Sequence, residues 1–194
     1  MLAKKPLELV LASASQRRAD LLGQIGVVPD RIVPANIDES PITGELPRQL
    51  VSRLSASKAI LVSKKYPRSI ILAADTVVAC GRRVLSKPEN LDQARSFLNL
   101  LSGRRHRVIS GLAIISHNGN LYKRLVETHV NFKRLTSTEL KQYLESGEWE
   151  DKAGAYAIQG IAAEFIKSIN GSYSNVVGLP LFETAQLLKG LGYY

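Results

Sequence analysis

Residues 9–22, LVLASASQRRADLL, form the stretch from which the fold is predicted. The apolar run Leu7–Ala12 predicts a buried strand. Small polar residues follow it, and a helix-like apolar period then runs as far as Gly26. A serine loop that leads from a strand into a helix presents free backbone N–H groups and the positive end of the helix dipole. Arg17 and Arg18 add guanidinium donors that suit phosphate oxygens. The stretch predicts either a phosphate site or a serine-capped helix with two solvated arginines.

The composition is that of a globular protein with a charged partner. The chain has 194 residues, of which 45% are hydrophobic and 22% charged, and its net charge is +9. Such a charge suits a polyanion, but the basic residues are dispersed and aromatic residues make up only 6%. Both nucleic acid and a small anionic substrate therefore remain open as partners. The single cysteine, Cys80, permits no internal disulfide and favours a reducing, cytoplasmic setting.

Strand and helix signals alternate along the chain, which predicts an α/β fold with a mixed sheet. A helix is predicted from Pro47 to about Lys65 and another from about Pro180. The other main signals are an Asn90 helix cap, an Asn118-Gly119 hairpin, a Thr136/Glu139 capping box, a strand at Arg31–Val33 and a strand from about Ile161 to Ile169.

Lys58 interrupts an otherwise apolar stripe on the Pro47 helix. It lies four residues after Leu54 and three before Leu61, which places it on the face that these leucines are predicted to bury. A lysine at such a position either extends its ammonium to water or directs it at an anionic group. Both interpretations remain open from the sequence.

Asp75 follows the most apolar run in the chain. Residues 70–74 are continuously apolar, as in a strand covered on both faces. We expect this strand to end at Asp75-Thr76 and a second strand to run from Val77 to Cys80. A carboxylate at the end of a buried strand suits metal binding or general-base chemistry, and the alternative is a turn residue that caps the strand end.

Several common sites are excluded by their motifs. The sequence has no phosphate loop, dinucleotide fingerprint, nucleophile elbow or H-E-x-x-H motif, and its three histidines lack metal-ligand spacing. What remains is a set of cations and carboxylates that suits a magnesium-dependent reaction on a phosphorylated substrate. The set comprises Arg17, Arg18, Lys58, Lys87, Lys152, Glu39, Asp75 and Asp151.

Several blocks of the sequence together resemble the Maf family of nucleoside triphosphate pyrophosphatases. They are LASASQRRADLL, AADTVV, SKP, LSGRRHRV, DKAGAYAIQG and NGSYSNVVGLPL. The resemblance implies one two-lobed α/β domain over residues 1–194, with an elongated mixed sheet flanked by helices and a nucleotide cleft. It also implies hydrolysis of a nucleoside triphosphate to the monophosphate and pyrophosphate, a divalent cation (Mg²⁺ or Mn²⁺) and a homodimer.

The resemblance also assigns roles to individual residues. The family's catalytic aspartate corresponds to Asp75, which with Glu39 is also the expected metal ligand. Its other functional positions correspond to Ser13, Arg17, Arg18, Lys58 and Lys87. Gln16 departs from the family, which commonly has proline there, and this change should affect loop stiffness rather than chemistry.

The segment AYAIQG resembles the branch of the family that acts on dTTP and UTP. Arg17, Thr76 and Gln159 are the expected base-selecting positions, because a glutamine amide can both donate to and accept from an imide edge. Gln159 could instead satisfy backbone groups of its own loop. The alternatives are the same reaction on 7-methyl-GTP or other purine nucleotides, and a non-enzymatic regulator of septum formation. We expect neither specific nucleic-acid binding nor membrane association.

Overall fold

The structure is a computed structural model, and it describes residues 7–193. Helices and strands alternate through these residues, as the sequence predicts. The strands are β1 Leu9–Leu11, β2 Arg31–Ile32, β3 Ile70–Cys80, β4 Arg83–Leu85, β5 Arg105–Ile115, β6 Leu121–Phe132 and β7 Ile166–Asn170. The helices are α1 Gln16–Gln24, α2 Pro47–Ser63, α3 Leu91–Leu101, α4 Ser137–Glu145, α5 Tyr173–Val177 and α6 Leu181–Gly190, with 3-10 turns at Ala153–Ala155 and Ile161–Phe165.

The seven strands found within residues 7–193 belong to one mixed sheet. Six of them follow the order β2-β1-β3-β5-β6-β7, and β4 pairs with β3. The pairs β1–β2 and β1–β3 are parallel, whereas β3–β4 and β6–β7 are antiparallel. The predicted α/β class with a mixed sheet flanked by helices is therefore confirmed.

The chain divides into two compact units. Unit 1 comprises residues up to Asp75, Ser110–Val126 and residues from Gly178, and unit 2 comprises Thr76–Ile109 and Glu127–Val177. The assignment of residues 1–194 to a single two-lobed domain stays a prediction, and Met1–Pro6 and Tyr194 lie outside the described residues.

Small side chains let α2 pack closely on the sheet in unit 1. Ala59 and Val62 of α2 share a buried cluster with small and β-branched residues of β1, β3 and β5. Gly111 of β5 is required here, because a Cβ at this position would overlap the carbonyl group of Val51. The close approach brings the α2 face that carries Lys58 against the sheet.

Unit 2 has an aromatic core. The rings of Phe132, Tyr156, Tyr143 and Phe165 are buried and meet edge to face. Such contacts stabilise a core beyond the area that they bury.

Most local signals are confirmed. Asn90 caps α3 by accepting a hydrogen bond from the backbone N–H of Gln93 at 2.9 Å, and Thr136 and Glu139 form the capping box of α4. The hairpin turns at Gly119, which has a φ of +82° that favours glycine. Cys80 is half-buried at the end of β3.

Two predicted boundaries are wrong. The strand predicted to end at Asp75 continues as β3 to Cys80, because Thr76, Val77 and Val78 favour extended backbone. The strand predicted from Ile161 begins only at Ile166, and a 3-10 helix occupies Ile161–Phe165. This 3-10 turn buries Ala162 and Phe165 and leaves Ile161 exposed. Two buried residues three positions apart match the period of a 3-10 helix, whereas a strand would bury every second residue.

Candidate active site

A buried ion pair joins Lys58 of α2 to Asp75 of β3. The Lys58 Nζ donates a hydrogen bond of 2.6 Å to Asp75 Oδ1, and only 7% and 6% of the two residues are exposed. Burying charged groups is costly unless they are paired, so each side chain accounts for the position of the other. The open question about Lys58 is thus answered: its ammonium faces an anionic group.

The same ammonium also contacts Glu39. Lys58 Nζ lies 2.8 Å from Glu39 Oε1, and the glutamate side chain is 57% exposed. One lysine nitrogen thus lies between a buried carboxylate and an exposed one. Glu39 and Asp75 are consequently neighbours through this shared ammonium.

Arg53 holds the loop that carries Glu39, a role that the sequence did not reveal. Its guanidinium contacts both carboxylate oxygens of Glu45 at 2.7 Å and donates to the carbonyl oxygen of Ser40 at 3.0 Å. Hydrogen bonding to Arg53 lowers the pKa of Glu45 below its usual value. A two-point ion pair of this kind fixes direction as well as distance. The contact between Arg53 and the loop could not be predicted from the sequence, because the loop has neither a helical nor a strand period.

Ser13 and Arg18 form a corner where β1 leads into α1. The backbone N–H of Ser15 donates to Ser13 Oγ at 3.1 Å, and Arg18 Nη1 donates to the same oxygen at 3.0 Å. Arg18 Nε also donates to the carbonyl oxygen of Gly178 at 2.9 Å. The serine loop is therefore held by its own arginine. Gly178, which the motif analysis did not single out, supplies the second contact of that arginine.

The helix beyond this corner begins without a side-chain cap. Ser15 occupies the N-cap position of α1 but makes no side-chain hydrogen bond to the helix. The serine-cap interpretation is therefore wrong for Ser15. In the first turn, the N–H of Arg18 donates to the carbonyl oxygen of Ser15 at 3.2 Å, and the Ser15 side chain caps none of the N–H groups.

Parallel pairing places Ser13 and Asp75 at related positions on adjacent strands. Leu11 pairs with Leu72, and the N–H of Ala12 donates to the Leu72 carbonyl oxygen at 2.8 Å. Ser13 lies two residues after Leu11, and Asp75 lies three residues after Leu72, so the two residues are at similar heights on neighbouring strands.

Arg18 belongs to the same electrostatic cluster. Loss of hydration on burial lowers the pKa of Arg18, the charge of Asp75 opposes this shift, Arg17 lowers it further and Glu39 again opposes it. An arginine remains protonated despite such a shift. Within unit 1, Ser13, Arg18, Glu39, Lys58 and Asp75 are therefore linked by hydrogen bonds or charge interactions, and Arg17 adds a positive charge beside Arg18.

The remaining predicted site residues belong to unit 2. Lys87 Nζ lies 3.4 Å from Asp151 Oδ1, with the two side chains 65% and 84% exposed. Lys152 donates to the carbonyl oxygen of Glu150. Thr76 is half-buried in β3, and Gln159 is exposed in a turn.

Two carboxylates are the candidate donors for a divalent cation. Among residues 7–193, no three His, Cys, Asp or Glu side chains converge as a metal cluster. Mg²⁺ is commonly held by one or two carboxylates together with substrate phosphates and water. Asp75 and Glu39, which share the ammonium of Lys58, fit that donor set. Along the same described part of the chain, no helix is both long and apolar enough to cross a membrane.

Comparison with known proteins supports the resemblance across nearly the whole chain. Residues 8–191 match the family model of the Maf-like proteins. A relative from Paramagnetospirillum magneticum, named dTTP/UTP pyrophosphatase, is 56% identical over 185 residues, which cover 95% of this chain and 97% of the relative. A relative of the same name from Mesorhizobium japonicum is 54% identical over 192 residues, covering 96% and 92%.

A solved structure shares the fold at low sequence identity. The structure of the Staphylococcus aureus Ham1 protein aligns with a TM-score of 0.50 and 13% identity, covering 94% of this chain and 98% of that one. This likeness concerns the arrangement of helices and strands alone.

Proposed function

We propose that this chain, which belongs to the Maf family, is a nucleoside triphosphate pyrophosphatase that hydrolyses dTTP and UTP. The relatives described above carry the name dTTP/UTP pyrophosphatase and match at 54–56% identity over most of both chains. The observation that carries the proposal is the buried Lys58–Asp75 pair with Glu39 beside it. A buried charge cluster of this kind, next to a helix start suited to phosphate, is typical of a catalytic site.

Asp75 is the proposed general base. The hydrogen bond from Lys58 fixes the direction of the Asp75 carboxylate. In the proposed reaction Asp75 takes a proton from a water molecule as its oxygen bonds to the α-phosphorus. The bond between the α-phosphorus and the bridging oxygen breaks, and pyrophosphate leaves with the electron pair.

The cations of the site are proposed to bind the triphosphate. Arg17 and Arg18 lie in the first turn of α1, where the helix dipole also favours negative charge. Lys58 and Lys87 add two ammonium groups, and Ser13 a hydroxyl. Because charge on the phosphates shifts during the reaction, donors held in advance stabilise the transition state more than mobile ones do.

A bound divalent cation would neutralise phosphate charge and favour departure of pyrophosphate. Asp75 and Glu39 are the residues that would hold it. Arg17, Thr76 and Gln159 are the proposed base-selecting residues, with the Gln159 amide matching the donor and acceptor pattern of thymine or uracil.

The proposed setting is the cytoplasm, and the proposed assembly is a homodimer. The single cysteine suits a reducing compartment, and the family resemblance supports the dimer. Light scattering of the purified protein tests the assembly directly.

A panel of triphosphates with Mg²⁺ tests the function. We expect pyrophosphate release to be fastest with dTTP and UTP and much slower with purine triphosphates. Preference for 7-methyl-GTP would support the purine alternative. Absence of turnover on every nucleotide, in protein that remains folded, would favour the septum-formation regulator.

A further inference from the structure

The turn that exposes Gln159 is held by backbone hydrogen bonds to side chains on both sides, a buried one upstream and a half-buried one downstream. Upstream, the N–H of Ala157 donates to the hydroxyl of Tyr143 at 3.1 Å, and Tyr143 is fully buried. Downstream, the N–H of Ile161 donates to Glu148 Oε2 at 2.8 Å. These two hydrogen bonds restrict the conformations that the exposed turn around Gln159 can adopt.

Gly160 makes the downstream anchor possible. A Cβ at this position would overlap the carboxylate of Glu148. The absence of a side chain at Gly160 therefore lets Glu148 reach the backbone of the turn. The glycine after Gln159 thus has a local structural reason to be there.

Tyr156 and His106 form a second upstream anchor. His106 Nε2 and the Tyr156 hydroxyl are 2.9 Å apart, and the residues are 1% and 6% exposed. Both rings also pack edge to face on Phe132. Burial lowers the pKa of His106 to about 4, so its ring is neutral at neutral pH. One hydrogen bond joins the neutral ring to the Tyr156 hydroxyl, and either group can be the donor. The pair fixes the backbone three residues before Gln159.

An exposed glutamine needs such support if it is to select a base. Its amide has a donor end and an acceptor end, and discrimination depends on where each end lies. Recognition groups lose selectivity when the shell that supports them is loose. Gln159 is exposed on the turn, so its placement depends on the backbone on either side.

We propose that Tyr156 and His106 are positioning residues that set base selectivity by holding the turn that carries Gln159. This inference rests on the proposed function. It assigns the buried His–Tyr pair a task beyond packing of the unit 2 core, and it places part of the specificity in residues that do not touch the nucleotide.

Tyr156→Phe is the first test, because it removes one hydroxyl and keeps the ring. We expect kcat/KM for dTTP to fall about tenfold, mainly through KM, while kcat/KM for dGTP changes little. The ratio of the two values is the decisive measurement, since lower stability alone would reduce both. Tyr122→Phe, which removes an exposed hydroxyl in unit 1, is the matched control and should leave the ratio unchanged.

A double-mutant cycle with Gln159→Ala tests whether Tyr156 acts through the glutamine. If it does, Tyr156→Phe should not reduce the dTTP to dGTP ratio further once Gln159 is absent. Should Tyr156→Phe fail to fold, His106→Phe replaces it, because this change removes the ring nitrogen that pairs with the Tyr156 hydroxyl and keeps an aromatic ring against Phe132.

The outcomes are distinguishable. A wild-type protein without activity on any triphosphate would refute the proposed function and this inference with it. A wild-type protein active on dTTP, together with Tyr156→Phe or His106→Phe variants of unchanged selectivity, would overturn the inference alone. Additive effects in the cycle would also overturn it.

Discussion

The Lys58–Asp75 pair of unit 1 is buried, whereas the Lys87–Asp151 pair of unit 2 extends into solvent. In unit 1, Lys58 and Asp75 are almost fully buried and their charged atoms are 2.6 Å apart. In unit 2, Lys87 and Asp151 are 3.4 Å apart with most of both side chains exposed. Ion pairs of the two kinds differ greatly in energy, because water and salt screen exposed charges and leave buried ones almost unscreened.

This difference indicates which charged side chains have defined positions before substrate binds. A buried pair must be in place for unit 1 to be stable, so the proposed base and its partner have defined positions before substrate arrives. Separating the exposed Lys87 from Asp151 costs little free energy, because water solvates both charges. Four substitutions test whether the two pairs differ in this way.

Asp75→Asn should give the largest loss of activity. The amide keeps the shape of the side chain but cannot accept a proton from water, so we expect turnover to fall roughly 10²–10⁴-fold. Steady-state pyrophosphate release measures this loss. Binding of a non-hydrolysable triphosphate should persist, because the arginines and lysines remain.

The melting temperature is the control for Asp75→Asn. The amide oxygen can still accept a hydrogen bond from Lys58, so the variant should fold. Its melting temperature should be lower than that of the wild type, because the buried ion pair is lost. Near-normal turnover in a folded variant would remove Asp75 from the mechanism.

Lys58→Met should have the largest effect on stability. The substitution fills the same space but leaves the buried Asp75 without its ammonium, a change that costs about 3–5 kcal/mol when no other group compensates. Chemical denaturation gives the free energy of unfolding. Lys65→Met, at an exposed position just beyond the same helix, is the matched control and should change it by less than about 0.5 kcal/mol.

The same variant tests the proposed cation donors. With Lys58 gone, Mn²⁺ can neutralise Asp75 and Glu39, so the ion should raise the melting temperature of Lys58→Met more than that of the wild type. Equal shifts in both proteins would argue against these carboxylates as metal ligands.

The sequence predicted much of the fold because local signals agreed with one another. Helix α2 begins at the predicted Pro47 and ends two residues before the predicted Lys65. The interrupted stripe singled out Lys58 correctly, since only a charged partner or water can satisfy a lysine on a buried face.

The partner of that lysine could not be predicted from residue patterns, because Asp75 lies on another element and no periodicity connects a helix to a strand. The charge of Asp75 instead suggested that the strand ended there. Lys58 removes the cost of burying that charge, and the β-branched residues after it keep the chain extended. The resemblance to a family supplied the candidate site residues, but not the Arg53 contacts that hold the Glu39 loop.

Arg53→Lys should loosen the Glu39 loop without unfolding unit 1. Lysine cannot reproduce the two-point contact with Glu45. Glu45 also accepts a hydrogen bond from the backbone N–H of Ile42 at 3.1 Å. We therefore expect faster amide exchange at Ile42 and a turnover reduced severalfold. Arg95→Lys, at an exposed position on α3, is the control. Unchanged exchange at Ile42 would show that the loop is held by other contacts.

Asp151→Asn should have the smallest effect of the four. The exposed pair with Lys87 is screened by water, so we expect the free energy of unfolding to change by less than about 0.5 kcal/mol. Asp151 has a φ of +56°, a conformation that asparagine tolerates as well as aspartate does. Asp151→Ala removes the same charge but adds backbone strain of about 1–2 kcal/mol. Comparing the two variants by chemical denaturation therefore separates charge from conformation. If Asp151→Asn were as destabilising as Asp151→Ala, the pair with Lys87 would support the fold, and the contrast between the two units would fail.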